Sequence, residues 1–200
     1  MSTSEVDYGL DRSFSNSDNG FTESSGTGVF GSSIADYDIS DNEAQAAADA
    51  QPGYDDQTAS AYVYEVIYPW GSYDLVESYG DLTARFDVSG QYKGLIDAAG
   101  GGSSIEFSAF LLDASNGVYL DRDTFKEMNA GPIDYKDRSG HFDVSVYGEV
   151  NTYTYYCIGV TVEVTASSLL TSIAHADAHR SGTYNGYVNW DSIDLTWLGK

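Results

Sequence analysis

From Ala61 onward the apolar residues of this chain recur at every second position, and that alternation limits the fold more than any other feature. Side chains of a strand point alternately to opposite faces, so an apolar row of period two marks one sheet face. Tyr62, Tyr64, Val66 and Tyr68 share a face. Leu82, Ala84, Phe86 and Val88 form a second row, with Thr83, Arg85 and Asp87 opposite. Ile105, Phe107, Ala109 and Leu111 follow, then Phe142, Val144 and Val146. The longest row is Tyr156, Ile158, Val160, Val162 and Val164, and Ile193, Leu195 and Trp197 come last. Turn signals lie between the rows: Ser89-Gly90, Gly100-Gly101-Gly102, Asn116-Gly117, Ser139-Gly140, Ser181-Gly182 and Asn185-Gly186. Asn116-Gly117 reads as a tight hairpin. Short alternating strands with no long helices between them predict an all-β chain, an antiparallel β-sandwich of jelly-roll type. Residues 166–180 fit both periods, and their β-rich neighbours favour a strand.

Composition changes near residue 58. Residues 1–58 hold 12 acids and one base, Arg12, for a net charge of -11; residues 59–200 hold 19 acids and 8 bases, also -11. The first part is rich in Ser, Gly, Asp and Asn, with isolated aromatics. It reads as an extended N-terminal arm, with residues 59–200 as the sandwich. Phe14, Phe21, Phe30 and Tyr37 are its candidate anchors into a neighbouring surface. Ser40-Asp41-Asn42-Glu43 has capping-box spacing, an alanine-rich run follows to Ala50, and Pro52-Gly53 ends it. That pattern predicts one short helix within the arm.

The net charge of -22, from 31 acids against 9 bases, excludes nucleic acid as a partner by simple attraction. It also disfavours an anionic membrane surface. No stretch of about 18 apolar residues is present, so no membrane span is expected. No basic-then-apolar run opens the chain, so no secretion signal is expected. The single cysteine, Cys157, excludes an intrachain disulfide and a cysteine zinc site. Of the acids 22 are Asp, and lysine is confined to Lys93, Lys126, Lys136 and Lys200. Such a surface repels itself in dilute buffer and is screened in brine, which points to a halophilic source.

Motifs for chemistry are few. His175, Asp177 and His179 share a strand face and form a candidate metal cluster, for which a third strong ligand would have to come from afar, with His141 the candidate. The competing reading is a polar face alternating with small core alanines. Asp121-Arg122-Asp123 and Asp113 to Asn116 are candidate weak calcium loops, without the twelve-residue pattern. A weakly bound divalent cation is therefore the one cofactor considered. Gly26-Thr-Gly28-Val-Phe-Gly31 matches a dinucleotide fingerprint by letter only, because no βαβ unit surrounds it. With no nucleophile elbow or phosphate loop, no enzyme is expected. Tyrosine is abundant, 17 in all. Tyr68, Trp70, Tyr153 and Tyr155 are the candidate ligand or interface residues, since such rings suit carbohydrate stacking and protein interfaces.

Residues 60–200 resemble, in style and composition, the acidic β-sandwich structural proteins of haloarchaeal tailed viruses. The resemblance rests on no specific motif and carries over no site residues. It implies a non-enzymatic virion component (head decoration, turret or tail) that forms homo-oligomers and contacts other virion proteins. A host-surface glycan is a further candidate partner. The alternative is a carbohydrate-binding or adhesion module on the outer surface of a halophile.

Overall fold

The computed structural model describes residues 3–71, 82–131, 133–180 and 186–199. They form thirteen strands: β1 (Ser4–Asp7), β2 (Arg12–Phe14), β3 (Asn19–Gly26), β4 (Ser32–Asp38), β5 (Glu43–Ala50), β6 (Asp56–Trp70), β7 (Thr83–Ala99), β8 (Gly102–Asp113), β9 (Val118–Ala130), β10 (Asp134–Glu149), β11 (Tyr156–Ser167), β12 (Ile173–Ala178) and β13 (Tyr187–Leu198). Six make one sheet in the order β1-β6-β11-β8-β9, with β3 also on β6. Seven make the other in the order β10-β7-β12-β5-β13-β2, with β4 on β5 and β13 also on β7. The strands pair antiparallel except β1, which runs parallel to β6. The chain is an all-β sandwich, as its alternation predicts.

The core lies between the sheets. Ala61, Val63, Ile67, Ile105, Phe107, Leu111, Ile158, Val160 and Val162 come from the first sheet, and Phe86, Val88, Ile96, Trp190 and Ile193 from the second. Asn116-Gly117 makes the expected β8–β9 hairpin, with Gly117 at φ 67 and its N–H donating to the Asp113 carbonyl at 2.8 Å. The residues read as ambiguous include β12, a strand.

Three local expectations need correction. The predicted helix is absent: residues 43–50 are β5, held between β4 on one edge and β12 and β13 on the other. Ala44, Ala46, Ala48 and Ala50 all face the core. Tertiary pairing on both edges overrides alanine's helix preference. The capping-box residues instead turn β4 into β5, where Asp38 accepts from Ser40 N–H at 2.8 Å. Ser89-Gly90 and Ser139-Gly140 are not turns but lie inside β7 and β10. Each glycine sits opposite an aromatic ring, Gly90 opposite Phe142 and Gly140 opposite Tyr92. A Cβ on Gly90 would lie 2.8 Å from the Phe142 ring and one on Gly140 2.9 Å from Tyr92. The missing side chains make room for those rings. Ser181-Gly182 and Asn185 lie outside the described residues.

Residues 1–58 supply β1 to β5 within the two sheets. β3 and β1 lie end to end along one edge of β6, pairing with residues 57–64 and 67–70. Phe14 is buried and pairs with Ile193. Phe21, Phe30 and Tyr37 are exposed.

Candidate binding face

The outer face of the six-stranded sheet is banded. Cross-strand partners share a face, so register fixes each band. Starting at one end, Ser25, Thr58, Thr165, Ser104 and Asn129 form a polar row. Its hydroxyls pair, Ser25 with Thr58 at 2.7 Å and Ser104 with Thr165 at 2.6 Å. The next row is Glu23, Ser60, Glu163, Glu106 and Glu127. Glu163 and Glu106 are direct opposites, a repulsive placement. Arg122 bridges them, its Nη2 lying 2.8 Å from an oxygen of each. Glu106 also accepts from Ser108 at 3.0 Å and Thr124 at 2.9 Å.

Aromatics take over beyond the glutamates. Phe21, Tyr62, Phe110, Tyr64 and Tyr119 touch in a chain, edge to face at Tyr62–Phe110 (5.8 Å) and Phe110–Tyr119 (5.9 Å). Phe110 is buried beneath them with Val66 and Cys157, in a small cluster separate from the main core. Gly159 lies between Tyr64 and Phe110 in the register, where a Cβ would meet the Val63 carbonyl at 2.1 Å. The stripe continues along β6 to Tyr68 and Trp70. Tyr68 lies 4.7 Å from Tyr155 and 6.3 Å from Tyr153, ring centre to ring centre. From Tyr62 to Trp70 it spans about 26 Å, eight residues at roughly 3.3 Å each. A groove of about 660 Å³ runs over the polar end, walled by Glu23, Ser25, Thr58, Tyr62, Glu163 and Thr165. A second, of about 340 Å³, shares Glu23 and Tyr62 and is walled by Phe21, Tyr64, Phe110 and Tyr119.

Electrostatics keep this face in the protonation states its contacts need. Burial pushes the Tyr62 phenol pKa up, with Tyr119 and Glu163 adding to it, so Tyr62 remains a donor to Glu163 at 3.3 Å. Burial also raises Tyr64 and pushes the Cys157 thiol up to about 11. A thiol so buried is a small apolar group, not a nucleophile.

The structure gathers Tyr68, Tyr153 and Tyr155 into one cluster, with Trp70 on the same face of β6. Tyr62, Tyr64, Phe110, Tyr119 and the glutamate row complete the face and were not expected as site residues. Phe21, expected as an arm anchor, belongs to it as well. Of the candidate metal cluster, His175 Nε2 lies 3.7 Å from Asp177, while Asp177 accepts from the His179 backbone N–H at 2.8 Å. His141 pairs with Gln91 on β7, away from the cluster. Asp177, with Asp49 and Asp97 facing from the neighbouring strands, holds His175 above its ordinary pKa. Among the described residues no group of three or more His, Cys, Asp or Glu is arranged to hold a metal. Asp113 caps the β8–β9 turn through Ser115 and Asn116, and Asp121 accepts from Arg122 and Tyr147 N–H. The glycine run from Gly26 to Gly31 joins β3 to β4.

No family model matches the chain, and no curated protein does. Among solved structures, the N-terminal modules of a Clostridium thermocellum endo-1,4-β-D-xylanase complexed with xylohexaose align at TM-score 0.29 and 12% identity. That alignment covers 84% of this chain and 26% of the other, so the chain spans about a quarter of the xylanase structure. A family 11 carbohydrate-binding module from Clostridium thermocellum, in complex with a mixed-linked tetrasaccharide, aligns at 0.25 and 11%, over 93% and 95%. The structure of infectious bursal disease virus, Gx strain, aligns at 0.23 and 8%, over 94% and 42%.

Proposed function

We propose that this chain is a non-catalytic binding module that takes a polysaccharide on the outer face of its six-stranded sheet. The observation that carries this reading is the aromatic stripe from Tyr62 to Trp70 running into rows of carboxylates and hydroxyls. Rings stack on the apolar faces of sugars, while carboxylates and hydroxyls pair with their OH groups. Protein interfaces are depleted of charge at their centres, so four glutamates on one row favour a hydrated ligand over a dry partner surface. The test is calorimetric titration of the chain with oligosaccharide hexamers, neutral and charged. Tyr64→Ala should weaken binding about tenfold, the loss of one stacking contact. A wild-type chain that binds no hexamer, or a folded Tyr64→Ala variant that binds as well as wild type, ends this reading.

A second reading is a virion structural protein of a halophilic archaeal virus, assembled as an oligomer. What favours it is the apolar end of the sandwich. Val29 and Phe30 at the β3–β4 turn are 88% and 76% exposed, and Tyr54, Leu169 and Leu170 are exposed as well. The loops that carry them are tied together, Thr27 N–H to the Asp56 carbonyl and Gly53 N–H to the Leu169 carbonyl. On this reading a second copy covers that end. Light scattering of wild type and Phe30→Ser/Leu170→Ser in concentrated salt decides it. A defined oligomer lost in the variant supports assembly; a wild-type monomer rejects it.

A further inference from the structure

We infer that the apolar end of the sandwich docks on a neutral, zwitterionic lipid surface, its loop tips entering the apolar layer and its acidic rim meeting cationic head groups. This surface is distinct from the glycan face, which is the flank of one sheet, and it depends on neither reading above.

Among the described residues five connections meet at this end: 27–31, 51–55, 100–101, 131–133 and 168–172. The pairings Asp56–Ser167, Ser167–Gly102, Ala50–Ala174 and Ala98–Asp134 bring them together. Charged residues make up 20% of the chain, yet these connections contain one, Asp55. It is buried, and its carboxylate accepts from the Gln57 amide at 2.6 Å and the Gln51 N–H at 3.2 Å. The glycine motif of the first connection lies over it. A Cβ on Gly28 would fall 1.8 Å from one Asp55 oxygen, and a Cβ on Gly31 1.9 Å from the other. Glycine at both positions lets the loop close over the charge while Val29 and Phe30 turn to solvent.

Apolar side chains project from these tips. Ile133 is 89% exposed. With Val29, Phe30, Tyr54, Leu169 and Leu170 it presents on the order of 800 Å² to solvent, at roughly 200 Å² per fully exposed side chain. Apolar area of that size marks an interaction site. Two of the six are held out against backbone preference, Tyr54 at φ 61 and Ile133 at φ 76. Left-handed backbone is uncommon for a large side chain and rarer for a β-branched one, and such strain persists where function uses it. Backbone N–H groups of these loops are satisfied within the molecule, as an apolar medium requires. Ser168 N–H donates to the Asp55 carbonyl at 2.8 Å and Ile133 N–H to the Ala98 carbonyl at 2.9 Å. Charge around the tips selects the occupant. Asp49, Asp56, Asp97 and Asp134 stand just behind them. Lys136 is paired with Asp134 at 2.7 Å, and His175 faces Asp49 and Asp97 on the neighbouring strands. A second copy docked end to end would set two acidic rims against each other, and an anionic membrane would set its phosphates against one. A zwitterionic bilayer presents choline ammonium groups outermost, which suits an acidic rim around an apolar tip.

The test is flotation of the full chain with phosphatidylcholine vesicles, at the lowest salt that keeps it folded by circular dichroism. Wild type should float with the vesicles. Phe30→Ser/Ile133→Gly removes two tips, and glycine suits the left-handed backbone at 133, so this variant should fold. Its partition should fall about tenfold or more, the loss of two apolar side chains from the lipid contact. Val29→Ser/Leu170→Ser, on one of the same loops and one other, should act in the same way. Vesicles of equal parts phosphatidylcholine and phosphatidylglycerol should bind wild type several-fold more weakly. Wild type that does not float overturns the inference; if it is then an oligomer and the variants are not, a second copy holds this end. Undiminished flotation of the folded variants overturns it too, as does equal or tighter binding to the anionic vesicles.

Discussion

Glu65 is the residue whose environment most conflicts with its chemistry. It occupies a core-facing position of β6, between Val63 and Ile67, and is 3% exposed. It falls where β3 has ended and β1 has not begun, a gap filled by Ser4, Arg12, Asn16 and Asp18. Burial pushes its pKa up to about 7; the Ser4 hydrogen bond and Arg12 oppose this, and Asp18 adds to it. A carboxyl raised from 4.5 in this way favours the fold when protonated. Its contribution is complete below pH 4.5 and is lost as the pH rises through about 7. Thermal melts should therefore show lower stability at pH 8 than at pH 5, by on the order of 2 kcal/mol from this group. Glu65→Gln should remove most of that difference. A variant with the same pH dependence as wild type would place its cause elsewhere. His175 acts in the same direction, because a raised imidazole pKa also gives stability that is lost as the pH rises past its folded value.

At the scale of elements, the sequence is most informative where one face is apolar and the other polar. β7, β8, β11 and β13 are legible for that reason. β5 is not, because alanine satisfies a helix and a close-packed strand alike. The clue was the alternation of Ala44, Ala46, Ala48 and Ala50 with Gln45 and Asp49. β6 poses the opposite problem. Both its faces carry apolar residues, Ala61, Val63 and Ile67 against Tyr62, Tyr64 and Val66, so periodicity could not say which set faces out. The glutamate row was invisible for another reason. Its members are 21 to 140 positions apart along the chain, and register between strands is not written in any one of them. Small side chains on β5 keep it close to the opposing sheet, so Ala46→Leu should cost about 1–3 kcal/mol, read as a lower midpoint in urea. An unchanged midpoint would mean that the space between the sheets has room for the larger side chain.

For the whole molecule, charge dominates. A net charge of -22 on one sandwich is a standing repulsion, and the five Arg and Lys ion pairs among the described residues, most of them partly exposed, offset little of it. Raising salt from about 0.2 M to about 2 M shortens the screening length to a few ångströms. The melting temperature should climb by several degrees over that range. A flat or falling curve would separate the acidic composition from any adaptation to brine.

The placement of the first strands also has a consequence in time. β2 pairs with β13 through Phe14 and Ile193, and β1 and β3 need β6. A chain made from its N-terminus therefore produces its edge strands first and their last partner at the far end. Until β13 emerges, Phe14 and the alanine face of β5 have no finished sheet to join. Closing loops that long is slow, so completion of the sandwich waits on the final residues rather than on the first.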